Sequence, residues 1–365
     1  MNSSYGWIAG LLALFLVAGC QSPKHETTKH ETPSDAAETD TTATSDEAAT
    51  GDAPTPAEKP EPRPVVLSGA TDGPVRATLA IASTDVELGD WIEAEVTITN
   101  ASSDPTRIKQ LAHDTQSVSF AIVWNESTSF EFEKLVHFGG SPREWESPLL
   151  EPGASATESF RIPTLVAGPM QIGVRYRGAG EDLVRSDAIT VNVGAPEGAR
   201  LGARLETNYG ELVVGFWPDI APNTSLHFVE LTKKGDYDDV YFHRLYRGFV
   251  LQGGDPFGNG TGDFGYKLRA EFSEEKHLPA VLSMARGEDL DSAGSQFFIC
   301  LGEASHLDGG YTAFGEVIEG FETTVRKIES EAQTRDGSDQ LYDDVFIKKA
   351  TVEVVASATS SDSKG

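Results

Sequence analysis

Apolar and polar residues alternate along several short stretches between residues 65 and 198. Over 92–99, Ile, Ala, Val and Ile occupy the even positions, and Glu or Thr the odd ones. The same spacing recurs over 118–124, 160–162, 170–176 and 189–193. A period of two places alternate side chains on one face of a strand. Because turn-forming residues separate these short strands, we expect residues 65–198 to form an all-β domain, a β-sandwich.

Two segments of this expected sandwich are similar to known modules. Glu87–Asp90 and the strand that ends in Thr97–Asn100 resemble the immunoglobulin-like modules of bacterial surface proteins. The Cys…Trp…Cys spacing of antibody domains does not occur there, so the resemblance is one of architecture. Neither a nucleophile–base pair nor a metal-ligand spacing is evident in it. A role as spacer or scaffold and a role in binding partners both remain open.

Residues 199–355 combine strand patterns with two helical ones. A strand pair is expected over 204–214, with its turn at 208–210. Pro222 begins a helix that Gly235 ends, and Asn223 or Thr224 can supply its N-cap.

A second amphipathic helix is expected further along the chain. Phe321, Val325 and Ile328 recur at i, i+4 and i+7, which is the spacing of one helix face. Strands over 345–347 and 350–355 then close the domain, and 356–365 form a polar tail.

The N-terminus has the pattern of an export signal. An apolar run over 7–17 is too short to span a bilayer, which needs about 20 apolar residues. Val17–Cys20 then resembles the bacterial lipobox, which implies that residues 1–20 are a signal peptide and that Cys20 is lipidated. An ordinary signal peptide with a coincidental cysteine is the alternative, and the segment before the apolar run lacks Lys and Arg. The residue after the cysteine is Gln21 and not Asp, which resembles the sorting signal of outer-membrane lipoproteins in two-membrane bacteria.

Residues 21–64 have the composition of a disordered linker. Thr, Ala, Asp, Glu and Pro dominate, and aromatic residues do not occur, so the segment cannot bury enough apolar area to offset ordering. The expected arrangement is a protein anchored by lipid in the cell envelope, facing the periplasm or the exterior, with a spacer before its domains.

The net charge of the chain excludes some classes of binding partner. With 57 acidic against 29 basic residues, the formal net charge is −28, which argues against nucleic acid and against electrostatic docking on anionic lipid. The chain has two cysteines, Cys20 and Cys300, and the apolar run around Cys300 predicts a buried, inert thiol.

A set of ordered motifs carries the functional information. The segments Phe242–Asp255, Gly260–Gly262, Leu282–Ala285, Gly294–Ile299 and Leu307–Gly309 follow one another, and Phe314-Gly315 comes next. Together they resemble the cyclophilin family of peptidyl-prolyl cis-trans isomerases over about residues 203–355. The resemblance implies a closed antiparallel β-barrel with two helices over 199–355, as the C-terminal domain of a bacterial lipoprotein. The predicted fold is therefore mainly β.

The resemblance also implies roles for residues in this sequence. Arg244 corresponds to the arginine that stabilises the twisted amide, and Gln252 to the glutamine that orients it and bonds the peptide backbone. Further substrate-binding positions are Phe249, Val250, Ala285, Arg286, Gln296, Phe298, His306, Leu307 and Tyr311. The implied partners are proline-containing polypeptides, and the reaction requires neither a metal nor a cofactor.

Four of these positions depart from the best-known family members. Val250 stands where they have Met, Arg286 where they have Asn, His306 where they have Trp, and Tyr311 where they have His. These changes bear on affinity, sequence preference and drug binding. The predicted function is isomerisation of X–Pro bonds in exported or envelope proteins. The alternative is a non-catalytic module that binds proline peptides or proteins at the membrane.

Overall fold

A computed structural model describes the chain from residue 73 to residue 356, with short gaps. The described residues are 73–111, 117–124, 128–132, 135–136, 147–178, 183–335 and 337–356. The predicted signal peptide with Cys20, the linker over 21–64 and residues 357–365 of the predicted tail lie outside them. Within the described part, no helix is long and apolar enough to cross a membrane.

The first part of the described chain forms short strands, as the alternation predicts. They are β1 (Val75–Ile81), β2 (Asp85–Glu87), β3 (Trp91–Asn100), β4 (Thr106–Arg107), β5 (Val118–Trp124), β6 (Thr128–Phe132), β7 (Leu135–Val136), β8 (Leu149–Leu150), β9 (Ser155–Pro163), β10 (Gly168–Arg177), β11 (Leu183–Arg185) and β12 (Ile189–Gly194). One sheet has the order β1-β3-β9, and the other β2-β12-β10-β5-β6 with β11 beside β10.

Apolar faces of these two sheets contact each other. The even positions of 92–98 are buried on β3, in agreement with the predicted alternation. Phe120 of one sheet and Phe160 of the other meet edge to face, with ring centroids 5.5 Å apart. Aromatic pairs with this geometry stabilise the contact beyond the area that they bury.

The second part of the described chain contains a closed barrel. Its further strands are β13 (Ala199–Thr207), β14 (Glu211–Phe216), β15 (Val240–Tyr246), β16 (Val250–Asp255), β17 (Tyr266–Lys267), β18 (Val281–Met284), β19 (Phe297–Cys300), β20 (Ala313–Glu319) and β21 (Gln340–Ala356). The barrel has the order β13-β14-β20-β18-β19-β16-β15-β21. Strand β21 is one element, although the sequence predicts two strands over 345–347 and 350–355.

Both predicted helices are present. Helix α1 (Pro222–Lys234) ends at Gly235, which has a φ of 78°. The second begins as a π-turn over Phe321–Val325 and continues as α2 (Arg326–Glu331).

The N-cap prediction for α1 is wrong. Asn223 and Thr224 lie inside the first turn, and the N-cap is Ala221, which makes no side-chain capping bond. The Glu271 carboxylate instead accepts hydrogen bonds from the N–H groups of Asn223 at 2.9 Å and Thr224 at 2.8 Å. Burial raises the pKa of Glu271, and these hydrogen bonds oppose that shift. A residue 47 positions away in sequence thus caps the helix.

The part of the chain before residue 195 contacts helix α1 and strand β17. The Lys233 amine lies 5.1 Å from the Trp91 ring centroid and donates to the Gly89 carbonyl. The Phe132 ring packs 5.1 Å from the His227 ring on α1. Strand β7 pairs with β17, the strand that follows β16 along the chain.

The predicted domain boundary near 198–199 leads to a test by truncation. A fragment over 199–356 contains all eight barrel strands and both helices. We expect it to fold and to retain peptide isomerase activity. It should melt below the full chain, because it loses packing against aromatic residues such as Phe132. Thermal unfolding and peptide assays of both proteins check this, and an insoluble or inactive fragment beside an active full chain would refute the boundary.

Candidate active site

The hairpin β15–β16 places two polar side chains opposite each other. Arg244 pairs with Gln252 in the register of the two strands. The turn between the strands is closed by the Phe249 N–H, which donates to the Tyr246 carbonyl at 2.9 Å. Gly248 in this turn has a φ of 71°, a conformation that glycine adopts without strain. The hairpin therefore fixes both side chains on one surface of the barrel.

The Arg244 guanidinium is held at two of its edges. Its Nε donates to Asp339 Oδ2 at 2.5 Å, and its Nη1 donates to Gln252 Oε1 at 3.4 Å. Arginine carries five N–H groups, and the part of the chain that the structure describes gives Nη2 no acceptor. The side chain is 37% exposed. It thus presents N–H groups to a ligand while its plane is set by the protein.

A chain of amides continues from this arginine. Gln252 Nε2 donates to Gln296 Oε1 at 3.0 Å. Gln296 Nε2 in turn donates to the carbonyls of Gly260 at 3.0 Å and Gly262 at 2.9 Å. The backbone therefore determines which way both amides point, and Gln252 presents its oxygen to Arg244.

The loop that receives these amide bonds is fixed by Asp255. Although burial raises the pKa of this carboxyl, hydrogen bonds from the N–H groups of Phe257, Asn259 and Gly260 hold its pKa below the ordinary value. An ionised, buried carboxylate with several donors is a rigid anchor. It keeps the Gly260 carbonyl in place for Gln296.

An apolar cluster, which we call the site cluster, lies next to the amides. Its buried members are Val250, Val281, Phe298, Cys300, Ala304, Leu307 and Ala313, and Trp217, Phe249, Ala285 and Tyr311 pack against it at the edge. This cluster is separate from the main core of the molecule. Six residues predicted to bind substrate therefore come together. Burial raises the pKa of the Cys300 thiol to about 12, which fits the predicted inert cysteine.

The rim of the site cluster carries the two basic residues among the predicted substrate-binding positions, His306 and Arg286. His306 is exposed, and its ring lies 5.2 Å from that of Phe249. The Arg286 guanidinium lies 4.6 Å from the Tyr311 ring centroid, and its Nε donates to the Gly310 carbonyl at 3.0 Å. The Arg286 side chain is thus held at the rim by these two contacts.

A cavity of about 240 Å³ opens beside the rim. It is lined by Gln252, Ala285, Arg286 and Gln296 together with Lys267 and several glycines. Every predicted substrate-binding residue therefore lies in the site cluster, at its rim or along this adjoining cavity.

Sequence reasoning missed a buried polar group behind the site cluster. The His277 ring stacks on Phe298 with centroids 6.2 Å apart. Its Nδ1 lies 3.1 Å from Asp308 Oδ1, and its Nε2 lies 3.0 Å from Ser283 Oγ. Burial lowers the pKa of His277, although Asp308 opposes the shift. His277 and Ser283 are buried, so these two side chains are out of reach of a substrate, and the His277 ring supports Phe298.

Asp339 is the other residue that the sequence did not reveal. It lies 95 positions from Arg244, just before β21, and no motif marks it. His243, beside Arg244, is buried, and burial lowers its pKa.

Comparison with known proteins identifies the barrel. The family model described as cyclophilin type peptidyl-prolyl cis-trans isomerase/CLD matches residues 203–352. A peptidyl-prolyl cis-trans isomerase of Synechococcus elongatus is 46% identical over 114 residues, which are 31% of this chain and 78% of that protein. The peptidyl-prolyl cis-trans isomerase cypE of Dictyostelium discoideum is 41% identical over 152 residues, 40% of this chain and 94% of that protein.

A solved structure also matches part of the chain. It is a cyclophilin type peptidyl-prolyl cis-trans isomerase of Cryptosporidium parvum, determined in the presence of the dipeptide Ala-Pro. It is 34% identical, and the match covers 42% of this chain and 98% of that chain with a TM-score of 0.39. Since most of the length of two relatives is matched at over 40% identity, the chain belongs to the cyclophilin-type peptidyl-prolyl cis-trans isomerases.

Proposed function

We propose that Arg244 carries out the isomerase reaction by donating a hydrogen bond to the prolyl nitrogen as the X–Pro bond twists. The observation that carries this proposal is the guanidinium fixed between Asp339 and Gln252 at the edge of the site cluster. The substrates we propose are X–Pro segments of exported or envelope proteins.

The chemistry requires only differential stabilisation. Amide resonance gives the peptide bond a rotational barrier of about 18–20 kcal/mol, and an uncatalysed X–Pro bond takes tens to hundreds of seconds to rotate. In the twisted state the nitrogen regains a lone pair, which can accept a hydrogen bond. A donor that bonds this lone pair, and not the planar amide, lowers the barrier selectively. Arginine suits the task because its fork is planar, permanently charged and pre-organised.

The rest of the site would hold the peptide during rotation. The site cluster offers an apolar wall for the proline ring, with Phe298 and Leu307 buried and Phe249 half-buried. Gln252 would bond the peptide backbone next to Arg244. Main-chain groups near Ala285, whose N–H donates to the Gln296 carbonyl at 2.9 Å, would grip the residue before proline.

We further propose a location in the cell envelope, with Cys20 as the lipid attachment site. The lipobox-like Val17–Cys20 and the polar segment that follows support this. A single acyl chain binds membranes only marginally, so stable attachment calls for more than one chain. The sandwich of immunoglobulin-like type would then act as a spacer between the anchored segment and the isomerase.

Replacing the arginine tests the mechanism. We expect Arg244→Ala to lower kcat/KM on an X–Pro peptide by about 10²–10³, the scale of losing one electrostatic donor. The side chain is 37% exposed, so thermal stability should change little. Isomerisation kinetics and thermal unfolding of both proteins provide the measurement. An alanine variant with full activity and an intact fold would show that Arg244 is structural.

The rim histidine leads to a prediction about cyclosporin. His306 stands where the best-known cyclophilins have Trp, so its ring is smaller and more polar than their indole. A loss of about 80 Å² of apolar contact at roughly 25 cal/mol per Å² amounts to about 2 kcal/mol, or about thirtyfold in affinity. We expect weak inhibition of the wild type, and His306→Trp should gain sensitivity more than activity. Drug titrations of both proteins decide this, and tight inhibition of the wild type would contradict it.

The anchor can be tested by mass spectrometry of protein extracted from membranes of an expressing bacterium. We expect the mature chain to begin at an acylated Cys20, and Cys20→Ser to remain unacylated. A native protein that starts at Met1 would contradict the proposed lipoprotein.

A further inference from the structure

The segment before β21 is attached to β15 at two neighbouring residues. The Leu245 N–H donates to the Asp339 carbonyl at 2.7 Å. The Asp339 carboxylate accepts from Arg244 Nε at 2.5 Å. One backbone bond and one ion pair therefore place this aspartate beside the arginine. The backbone bond fixes where the carboxylate stands, and the carboxylate then fixes the guanidinium.

We propose that Asp339 is the positioning residue for Arg244. Its carboxylate holds the Nε edge of the guanidinium, so that the Nη groups face Gln252 and the bound prolyl peptide. The inference rests on the proposed role of Arg244 in the reaction. It adds a residue that does not touch the peptide and acts only through the arginine.

The geometry supports orientation as the effect of this pair. The Arg244 guanidinium is planar, so hydrogen bonds at both Nε and Nη1 fix its plane and its direction. With the bond to Gln252 alone, the guanidinium could still rotate about that one contact. A free arginine side chain samples many rotamers, and each conformer that misses the prolyl nitrogen contributes nothing to catalysis.

The small energy expected of the Arg244–Asp339 ion pair argues against a role that is mainly to stabilise the fold. Both side chains are 37% exposed, and ion pairs at such exposure contribute little to folding because water and salt screen them. Removal of the carboxylate should therefore change melting only slightly. The effect is expected instead in turnover, where a misplacement of about 1 Å can cost up to a hundredfold.

The experiment combines substitutions at both residues in the full chain. We expect Asp339→Ala to lower kcat on an X–Pro peptide about tenfold and to change KM by less than about twofold. Asp339→Asn should lie between wild type and alanine, because its amide oxygen can still accept from Nε. In the Arg244→Ala background, Asp339→Ala should have no further effect.

A matched control separates this effect from the loss of any barrel ion pair. Glu316 pairs with Arg200 at 3.0 Å, and its side chain is 36% exposed, close to the value for Asp339. Glu316→Ala should leave both kcat and KM unchanged.

The outcomes distinguish this inference from the proposed function. If Arg244→Ala loses activity but Asp339→Ala keeps or increases it, the positioning role is refuted and the role of the arginine stands. An equal loss from Asp339→Ala in both backgrounds would also refute positioning, since the effect would not pass through the arginine. Full activity of Arg244→Ala would refute the arginine mechanism, and the positioning role with it.

Discussion

The double pairing of β21 is the constraint on which the site depends. This strand pairs with β13 on one side and with β15 on the other, and so closes the barrel. Closure removes free sheet edges and fixes each strand between two neighbours. Because Asp339 immediately precedes β21 and Arg244 lies on β15, the same closure brings the two side chains together. The orientation of the Arg244 guanidinium is thus a consequence of the way in which β21 closes the barrel.

A second layer of support comes from polar groups outside the site cluster. Asp255 anchors the loop that orients Gln296, and the His277–Asp308 contact braces Phe298 from behind. Both depend on buried polar atoms with their partners in place, an arrangement that is rigid when complete and costly when broken. The residues that hold the site in place thus come from widely separated parts of the chain.

Local features of the sequence predicted much of this arrangement. Alternation located β3, β5 and β10. Ordered motifs then indicated the barrel and the residues of the site cluster. These features succeed because a strand period and a turn residue are properties of a few neighbouring positions.

Long-range contacts were not predictable in this way. Nothing near Glu271 marks it as the cap of a helix 47 positions earlier, and nothing near Asp339 marks it as the partner of Arg244. Such contacts arise from the closed sheet, so only the folded chain reveals them.

Substitution of Arg244 by lysine tests the central claim most directly. Lysine keeps the positive charge but lacks the planar fork that Asp339 and Gln252 hold at two edges. If a fixed fork lowers the barrier, the isomerisation rate of an X–Pro peptide with Arg244→Lys should stay within a few-fold of the alanine variant. A rate near that of the wild type would show that charge alone suffices, and would contradict a catalytic role for the fixed guanidinium fork.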